Sequence, residues 1–260
     1  MRSLSLTLSM LCAPLFFLGC NSNDGKLDRA KLPAPTLELV NLTTAYPEVI
    51  EVFEASDTPT IGGRSIVGSC TGTFVSEMAV LTAAHCLKKT QTHIIRTGRS
   101  NLLRVKQSVS LGVGNADDQN DIAILVVEPP TVAGSRPFLS LGNSVSLGDT
   151  VRLVGFCEGK KTGTNMVFSL GSFIEVLTPS TSNYRVALVG PSNRAGSCFG
   201  DSGGPMLKDV GGKLQVVGVD HAAGSANGEL STDYIDITRP DNRNFLRRTN
   251  ETYDLKIQGL

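Results

Sequence analysis

Short apolar or alternating segments follow one another at close intervals through most of the chain. Clusters of Gly, Asn, Pro or Ser separate most of them, as is typical of strands joined by tight turns. The segments are residues 48–53, 65–67, 73–74, 79–82, 103–105, 122–127, 151–156, 166–174, 184–188, 214–219 and 234–237. About a dozen strands at this spacing predict an all-β fold, and they favour two small barrels over one sandwich.

One segment near the C-terminus has a helical pattern instead. Residues 241–248 begin with Asp241, a candidate N-cap, and contain Phe245 and Leu246 as apolar anchors. This pattern predicts a short C-terminal helix.

The composition limits the size of the core and the kinds of partner. The chain has 260 residues, of which 40% are hydrophobic and 18% charged, enough for one large domain or two small ones. Its 24 basic residues balance its 24 acidic ones, so no net positive field attracts nucleic acid or anionic lipid. Nucleic acid is therefore not an expected partner.

Residues 1–19 are typical of an export signal. Arg2 precedes an uncharged stretch that is too short to span a membrane with margin. Residues 17–20, Phe-Leu-Gly-Cys, resemble the bacterial lipobox, in which the cysteine carries a lipid before the signal is cut. The resemblance implies a cell-envelope lipoprotein, held to a membrane through Cys20 on the periplasmic or surface side. The alternative is an ordinary secretory signal, and both interpretations place the mature chain outside the cytoplasm.

A polar segment follows the signal. Residues 20–35 contain prolines and charged residues without apolar periodicity, which predicts a lipid-attached or flexible linker. The folded domain is expected over residues 36–260, with its two barrels divided near 130–150.

The cysteines predict disulfides. Cys12 lies inside the signal and Cys20 is the candidate lipid attachment site. Four cysteines remain in the domain: Cys70, Cys86, Cys157 and Cys198. Their spacing contains no C-x-x-C pair of the kind that binds zinc, so two disulfides in an oxidising compartment are favoured over a metal site. Four thiols allow three pairings, and the spacing does not choose among them. We expect no metal and no cofactor.

Three short segments carry residues suited to nucleophilic catalysis. Ser202 lies in Gly-Asp-Ser-Gly-Gly-Pro, where the glycines let the backbone turn sharply and point amide groups at a developing oxyanion. A serine hydroxyl needs an imidazole to take its proton, and the imidazole needs a carboxylate to orient it. His85, in Thr-Ala-Ala-His-Cys, and Asp121, in Asp-Ile-Ala-Ile-Leu, are the candidates.

In this order, the segments TAAHC, DIAIL and GDSGGP resemble the trypsin/chymotrypsin family of serine endopeptidases. The resemblance extends over about residues 46–246 and includes CTGTFV at 70–75. It implies two antiparallel six-stranded barrels with the active site in the cleft between them. His85 and Asp121 would come from the first barrel and Ser202 from the second.

The same resemblance implies the role of each residue. His85 is the general base and then the general acid, Asp121 orients His85, and Ser202 is the nucleophile that forms an acyl-enzyme. The amides of Gly200 and Ser202 form the oxyanion hole. The substrates are proteins or peptides. The alternative is a catalytically impaired pseudoprotease that serves as a binding protein of the cell envelope.

The family pattern also suggests how the cysteines pair. It joins Cys70 to Cys86, which closes the loop that carries His85. Cys157 and Cys198 are then left for each other, although in the family the cysteine before the serine usually pairs with one later in the chain. No cysteine follows Cys198 in the sequence.

The start of the domain departs from the family pattern. Family members commonly begin with an Ile-Val-Gly-Gly type terminus, whose freed amine pairs with the acid beside the serine, here Asp201. No such run lies at the expected place. Activation by cleavage within residues 35–44 and a constitutively ordered site are both open.

The expected substrate-binding residues are Gly196, Ser197, His221, Ala222 and Ala223. Where trypsin-like members carry an aspartate six residues before the serine, this chain has Gly196, so no fixed anion would compensate Arg or Lys. Small or medium apolar residues are the expected preference, unless Asp233 or Asp220 supplies the charge. In place of the usual Ser-Trp-Gly, His221 is expected to approach Asp121, and Ala222 to widen the substrate channel.

Three further ionisable residues receive a structural interpretation. Asp117 and Asp118 do not directly precede the apolar run at 122–125, as Asp121 does, and are interpreted as turn residues. His93 lies in a polar stretch and is expected to be solvated.

Overall fold

The computed structural model describes residues 36–41, 45–56, 65–87, 92–97, 101–112, 120–146, 148–156, 166–177, 184–188, 199–226 and 229–260. The predicted export signal, the lipid attachment at Cys20 and the linker lie outside these residues. So do Asp117, Asp118, Cys157, Gly196, Ser197 and Cys198. Among the described residues, no helix combines the length and the apolar character needed to cross a membrane.

Fourteen strands and one long helix make up most of these ranges. The strands are β1 (Thr36–Asn41), β2 (Val49–Ser56), β3 (Ser65–Ser76), β4 (Ala79–Thr82), β5 (Thr92–Thr97), β6 (Asn101–Ser110), β7 (Ala123–Val127), β8 (Ser140–Leu141), β9 (Thr150–Gly155), β10 (Met166–Leu177), β11 (Tyr184–Leu188), β12 (Pro205–Val210), β13 (Lys213–Ala226) and β14 (Glu229–Asp236). The predicted all-β class with a C-terminal helix is confirmed.

The first barrel is closed and contains six antiparallel strands in the order β2-β3-β4-β7-β6-β5. Its interior is filled by β-branched and aliphatic side chains, which pack well on a pleated surface. Val52, Leu81, Ile95 and Ile124 are each at most 1% exposed. This burial makes the barrel a rigid support for the residues at its edge.

The second sheet has eight strands, and six of them pair in a ring. The order β10-β11-β14-β13-β12-β9 is completed by a further pairing of β10 with β9. Two strands lie outside this ring: β1 pairs with β10, and the short β8 runs parallel to β13. The two-barrel architecture is therefore supported, with two added strands. Although β1 comes first in the chain, it belongs to the second sheet.

The helix α1 (Pro240–Tyr253) is longer than the pattern predicted, and it begins earlier. Its N-cap is Arg239, without a side-chain cap, and Pro240 starts the first turn because its fixed φ suits that position. Asp241 is thus an acidic residue of the first turn and not the N-cap. The predicted anchors Phe245 and Leu246 are buried, at 6% and 0% exposed.

The prediction that His93 is solvated is wrong. His93 lies on β5, opposite Glu54 of β2, and is 7% exposed. Burial lowers the pKa of its ring, and the charge of Glu54 opposes this effect. The stretch around His93 contains only two apolar residues, Ile94 and Ile95, and pairing with β2 makes it a strand.

Candidate active site

His85 lies at the edge of the first barrel in a single 3₁₀ turn, Ala84–Cys86, which is separated from the end of β4 by one residue. Its backbone N donates to Oδ1 of Asp121 at 2.7 Å, and its ring Nδ1 lies 2.6 Å from Oδ2. An ionised carboxylate only accepts hydrogen bonds, so Nδ1 carries the proton and Nε2 keeps its lone pair when the ring is neutral. The side chain of His85 is 24% exposed, which leaves the ring accessible.

Asp121 lies two residues before β7 and is completely buried. Burial by itself would raise the pKa of its carboxyl group, but hydrogen bonds from His221 and His85 outweigh it and hold the pKa below its usual range. Asp121 is therefore ionised at neutral pH. Its ionisation stabilises the fold above the ordinary pKa of Asp, and this contribution is lost as the pH falls through the lowered value.

The other ring that contacts Asp121 comes from the second sheet. His221, on β13, places its Nδ1 2.6 Å from the same Oδ2 atom that faces His85. The side chain of His221 is 2% exposed. The two imidazole rings stand edge to face, with their centroids 6.2 Å apart. The structure thus places His221 in a buried position against Asp121, the neighbour expected for it.

Ser202 lies in the turn that precedes β12 and is half-buried. Its carbonyl oxygen accepts a hydrogen bond from the backbone N of Thr71, on β3, at 2.8 Å. The same oxygen lies 3.6 Å from Sγ of Cys86, the residue after His85. These contacts bring the serine turn of the second sheet beside the histidine turn of the first barrel.

Gly203 makes this close approach sterically feasible. Its φ is +83°, and a Cβ at this position would overlap the hydroxyl of Thr82 and the carbonyl of Thr71. Its backbone N donates to the carbonyl of Asp220 at 2.8 Å, and the N of Asp220 donates to the carbonyl of Gly204 at 2.8 Å. The serine turn is therefore held by the first barrel on one side and by β13 on the other.

A hydrogen bond also anchors Gly200, one of the two residues predicted to form the oxyanion hole. Gly200 has a φ of +102°, and its carbonyl accepts a hydrogen bond from the hydroxyl of Thr71 at 2.6 Å. Thr71 thus holds both Gly200 and Ser202, the two residues whose amides the family resemblance assigns to the oxyanion hole. Thr71 was not among the residues predicted from the sequence, although its place directly after Cys70 in CTGTFV was a usable signal.

Asp201 points into the second sheet. It is 5% exposed, and its carboxylate lies so close to Gly155 that a Cβ there would overlap it. Tyr234 is fully enclosed nearby. Burial, followed by the charges of Asp220 and Asp201, raises the pKa of its phenol well above the usual range. This phenol therefore stays protonated, and it shares a hydrogen bond with Asp220.

The disulfide between Cys70 and Cys86 is confirmed. It joins β3 to the turn that carries His85, and its two cysteines have a sequence separation of 16. Closing a loop of this length reduces the entropy of the unfolded chain, an effect of about 3 kcal/mol. The pairing of Cys157 with Cys198 stays a prediction.

The residues after His221 and their neighbour on β14 line the surface beside the site. Ala222 is half-buried and Ala223 exposed, and Asp233 lies opposite Ala222 in the sheet register. Burial raises the pKa of Asp233, and the charge of His221 opposes this effect.

Phe199, next to Gly200, is 83% exposed. Phe199 was not among the predicted site residues either; a large apolar residue directly before GDSGGP was the available signal.

The donor atoms of His85, Asp121 and His221 lie within 4.8 Å of one another, a set worth testing against a metal site. Ligand atoms around a tetrahedral zinc ion, each about 2.0–2.1 Å from the metal, are separated by about 3.3 Å. Here both Nδ1 atoms lie 2.6 Å from Oδ2, which is a hydrogen-bond distance. The three residues are thus arranged to share protons and not to hold a metal ion.

The chain belongs to the trypsin family, because the family model described as Trypsin matches residues 51–241. It is similar to the fibrinolytic enzyme, isozyme C, of Lumbricus rubellus, with 26% identity over 199 residues that cover 64% of this chain and 81% of the relative. It is also similar to chymotrypsin-like elastase family member 1 of Canis lupus familiaris, with 28% identity over 202 residues that cover 66% of this chain and 76% of the relative. The family and these relatives indicate a peptidase that acts on proteins or peptides.

Proposed function

We propose that the protein is a serine endopeptidase that hydrolyses peptide bonds through an acyl-enzyme on Ser202. The observation that carries this proposal is the double hydrogen bond from His85 to Asp121, through its backbone N and its ring Nδ1. This arrangement sets the tautomer in which Nε2 accepts a proton, as a general base must.

The proposed reaction has the following steps. The hydroxyl oxygen of Ser202 attacks the substrate carbonyl carbon while Nε2 of His85 takes the hydroxyl proton, and Asp121 stabilises the imidazolium that forms. The amides of Gly200 and Ser202 stabilise the negative oxygen of the tetrahedral intermediate. His85 then donates its proton to the leaving amine, which breaks the peptide bond and leaves an ester on Ser202. Water, deprotonated by His85, attacks this ester. As the ester bond breaks, His85 returns the proton to the oxygen of Ser202, which releases the acid product and the free serine.

A fluorophosphonate probe tests the proposal, since it reacts with a serine only where the base and the oxyanion hole are assembled. We expect stoichiometric labelling of the purified, processed protein at Ser202, located by peptide mapping. Ser202→Ala and His85→Ala should lose the labelling while circular dichroism shows an intact fold. Ser135→Ala, which changes an exposed serine away from the motif, should label like the wild type.

A processed wild-type protein with neither labelling nor peptidase activity would contradict the proposal. That outcome would favour the alternative, a pseudoprotease that uses the same scaffold to bind a partner.

For substrate preference, we propose cleavage after small or medium apolar residues. Gly196 leaves the position of the family's pocket aspartate uncharged, and a buried pocket rejects an unpaired cation by several kcal/mol. The exposed ring of Phe199 adds apolar surface beside Gly200, and Ala222 is too small to narrow the channel. Asp220 is buried against Tyr234, which leaves Asp233 as the carboxylate that must be tested.

Cleavage of a peptide library measures this preference. We expect Ala, Val, Leu or similar residues before the scissile bond, and Arg or Lys substrates to be cut at least tenfold less efficiently because their charge stays uncompensated. A preference for Arg or Lys would overturn the proposal. If that preference disappeared in Asp233→Asn, Asp233 would be the group that compensates the cation.

A further inference from the structure

We propose that the hydroxyl of Thr71 is a positioning group of the peptidase reaction: it holds Gly200 so that the amides of Gly200 and Ser202 meet the developing negative oxygen of the substrate. In this role Thr71 touches no reacting atom and acts through the serine turn, residues 200–204. The inference rests on the proposed function, since it concerns the rate at which Ser202 reacts, and it adds a side chain that the reaction steps above do not include.

The first support is how fully the polar groups of Thr71 are used. Thr71 is completely buried. Its backbone N donates to the carbonyl of Ser202 at 2.8 Å, and its carbonyl accepts from the hydroxyl of Thr82 at 2.8 Å. Its own hydroxyl donates to the carbonyl of Gly200 at 2.6 Å and accepts from the backbone N of Phe156, directly after β9, at 3.4 Å. One hydroxyl on β3 of the first barrel thus joins the serine turn to the end of a strand of the second sheet.

The second support is that three consecutive carbonyls of the serine turn are held. The hydroxyl of Thr71 holds that of Gly200, the N of Gly204 holds that of Asp201 at 2.8 Å, and the N of Thr71 holds that of Ser202. The C=O and N–H of a planar trans peptide unit point in opposite directions, so the bond to the carbonyl of Asp201 also fixes where the amide of Ser202 points. Of the three bonds, the one from the Thr71 hydroxyl is supplied by a side chain.

The third support is that Gly200 needs such a bond. Its φ is +102°, and glycine loses more conformational freedom on ordering than any other residue. The preceding Phe199 is 83% exposed, so its ring does not anchor the segment by burial. The hydroxyl of Thr71 fixes the rotation of the peptide unit that follows Gly200. Without this donor the buried carbonyl of Gly200 would turn toward another one, and the amide of Gly200 would move with it.

Two variants at Thr71 and one control separate the hydroxyl from packing. Thr71→Val keeps the branched shape and removes the hydroxyl, whereas Thr71→Ser keeps the hydroxyl. The control is Thr73→Val: Thr73 lies two residues further along β3 and is buried, but its hydroxyl has no hydrogen-bond partner among the residues that the structure describes.

In Thr71→Val we expect kcat to fall about tenfold while KM changes less than about twofold. This loss is smaller than the factor of about 10² to 10³ that follows the outright removal of an oxyanion donor, because the amide of Gly200 is displaced and not deleted. Thr71→Ser should recover most of the rate, and Thr73→Val should react like the wild type.

A matched pair of inhibitors shows whether the loss concerns the oxyanion. A peptide aldehyde adds to Ser202: the serine oxygen bonds to the carbonyl carbon, the C=O double bond opens, the hydroxyl proton passes to His85, and the negative oxygen occupies the oxyanion hole. The corresponding peptide alcohol has the same side chains and cannot form this adduct. In Thr71→Val we expect the Ki of the aldehyde to rise about tenfold and that of the alcohol to change less than about twofold.

Equal values of kcat and of the aldehyde Ki in Thr71→Val and Thr73→Val would overturn the proposal. So would an equal weakening of the aldehyde and the alcohol, since the hydroxyl would then support substrate binding or the fold in general. A Thr71→Ser variant as slow as Thr71→Val would also contradict it. Circular dichroism checks that each variant is folded.

Amide hydrogen exchange tests the order of the serine turn independently of turnover. The N–H of Gly203 is hydrogen-bonded to the carbonyl of Asp220, so its exchange reports the opening of the turn. We expect this amide to exchange about tenfold faster in Thr71→Val than in the wild type or in Thr73→Val. Faster exchange in a protein whose Ser202 is never labelled would reject the proposed function and keep Thr71 as the residue that orders the turn. Labelling of the wild type, with exchange and kcat unchanged in Thr71→Val, would do the reverse.

Discussion

Asp121→Asn is expected to lower kcat by about 10⁴-fold, the magnitude that the same substitution has in trypsin-like enzymes. The physical reason is visible in the hydrogen bonds: Asp121 accepts from the backbone and the ring of His85 and from His221. An amide has one acceptor oxygen and an NH₂ group that only donates, so at least one of these donors would face another donor. His85 would then take the tautomer with the proton on Nε2, where it cannot accept the proton of Ser202.

The measurement is steady-state kinetics on a peptide ester or anilide, with labelling of Ser202 as a second readout. Asp149→Asn is the matched control, because Asp149 pairs with Lys208 near the surface at 2.6 Å and lies outside the site. This control should change activity less than twofold. A decrease below about 100-fold in Asp121→Asn would show that the carboxylate is not the group that orients the base.

Gly203→Ala is expected to destabilise the fold by about 3 to 5 kcal/mol, since it adds overpacking to an unfavourable backbone conformation. The new methyl group would overlap the carbonyl of Thr71 and the hydroxyl of Thr82, and the backbone at φ +83° cannot relax without moving the serine turn. Thermal unfolding should shift down by about 10 °C or more. The labelling of Ser202 should fall in the fraction that stays folded, because any shift that relieves the overlap separates Ser202 from His85.

Gly211→Ala isolates the backbone contribution. Gly211 also has a positive φ, +63°, but a Cβ there meets nothing within 4 Å. This control should lose only about 1 kcal/mol and label normally. Equal losses in Gly203→Ala and Gly211→Ala, measured by chemical denaturation, would show that the contact between the serine turn and the first barrel contributes little.

Local patterns were sufficient for several features of this protein. The apolar and alternating segments predicted ten of the fourteen strands and missed β1, β5, β8 and β12. Phe245 with Leu246 predicted the buried face of the helix. The sequence patterns failed where a strand contains few apolar residues. His93 was expected in solvent, yet it lies on β5, and pairing with β2 buries it. The helix also begins earlier than the pattern predicted. Pro240 occupies the first turn, where its fixed φ is suited, so Asp241 lies inside the helix and is not the N-cap.

Short motifs were enough to identify the family and the candidate nucleophile, base and carboxylate, because the neighbours of each residue are part of the signal. The pairing of Cys70 with Cys86 also came from the family pattern. The way in which the motifs meet became visible only in the folded chain. Asp121 and His221 are 100 residues apart in the chain, and Thr71 is separated from Gly200 by 129. No local pattern encodes such contacts, since they depend on how β13 of the second sheet approaches the buried carboxylate of Asp121 and how β3 of the first barrel approaches the glycine turn.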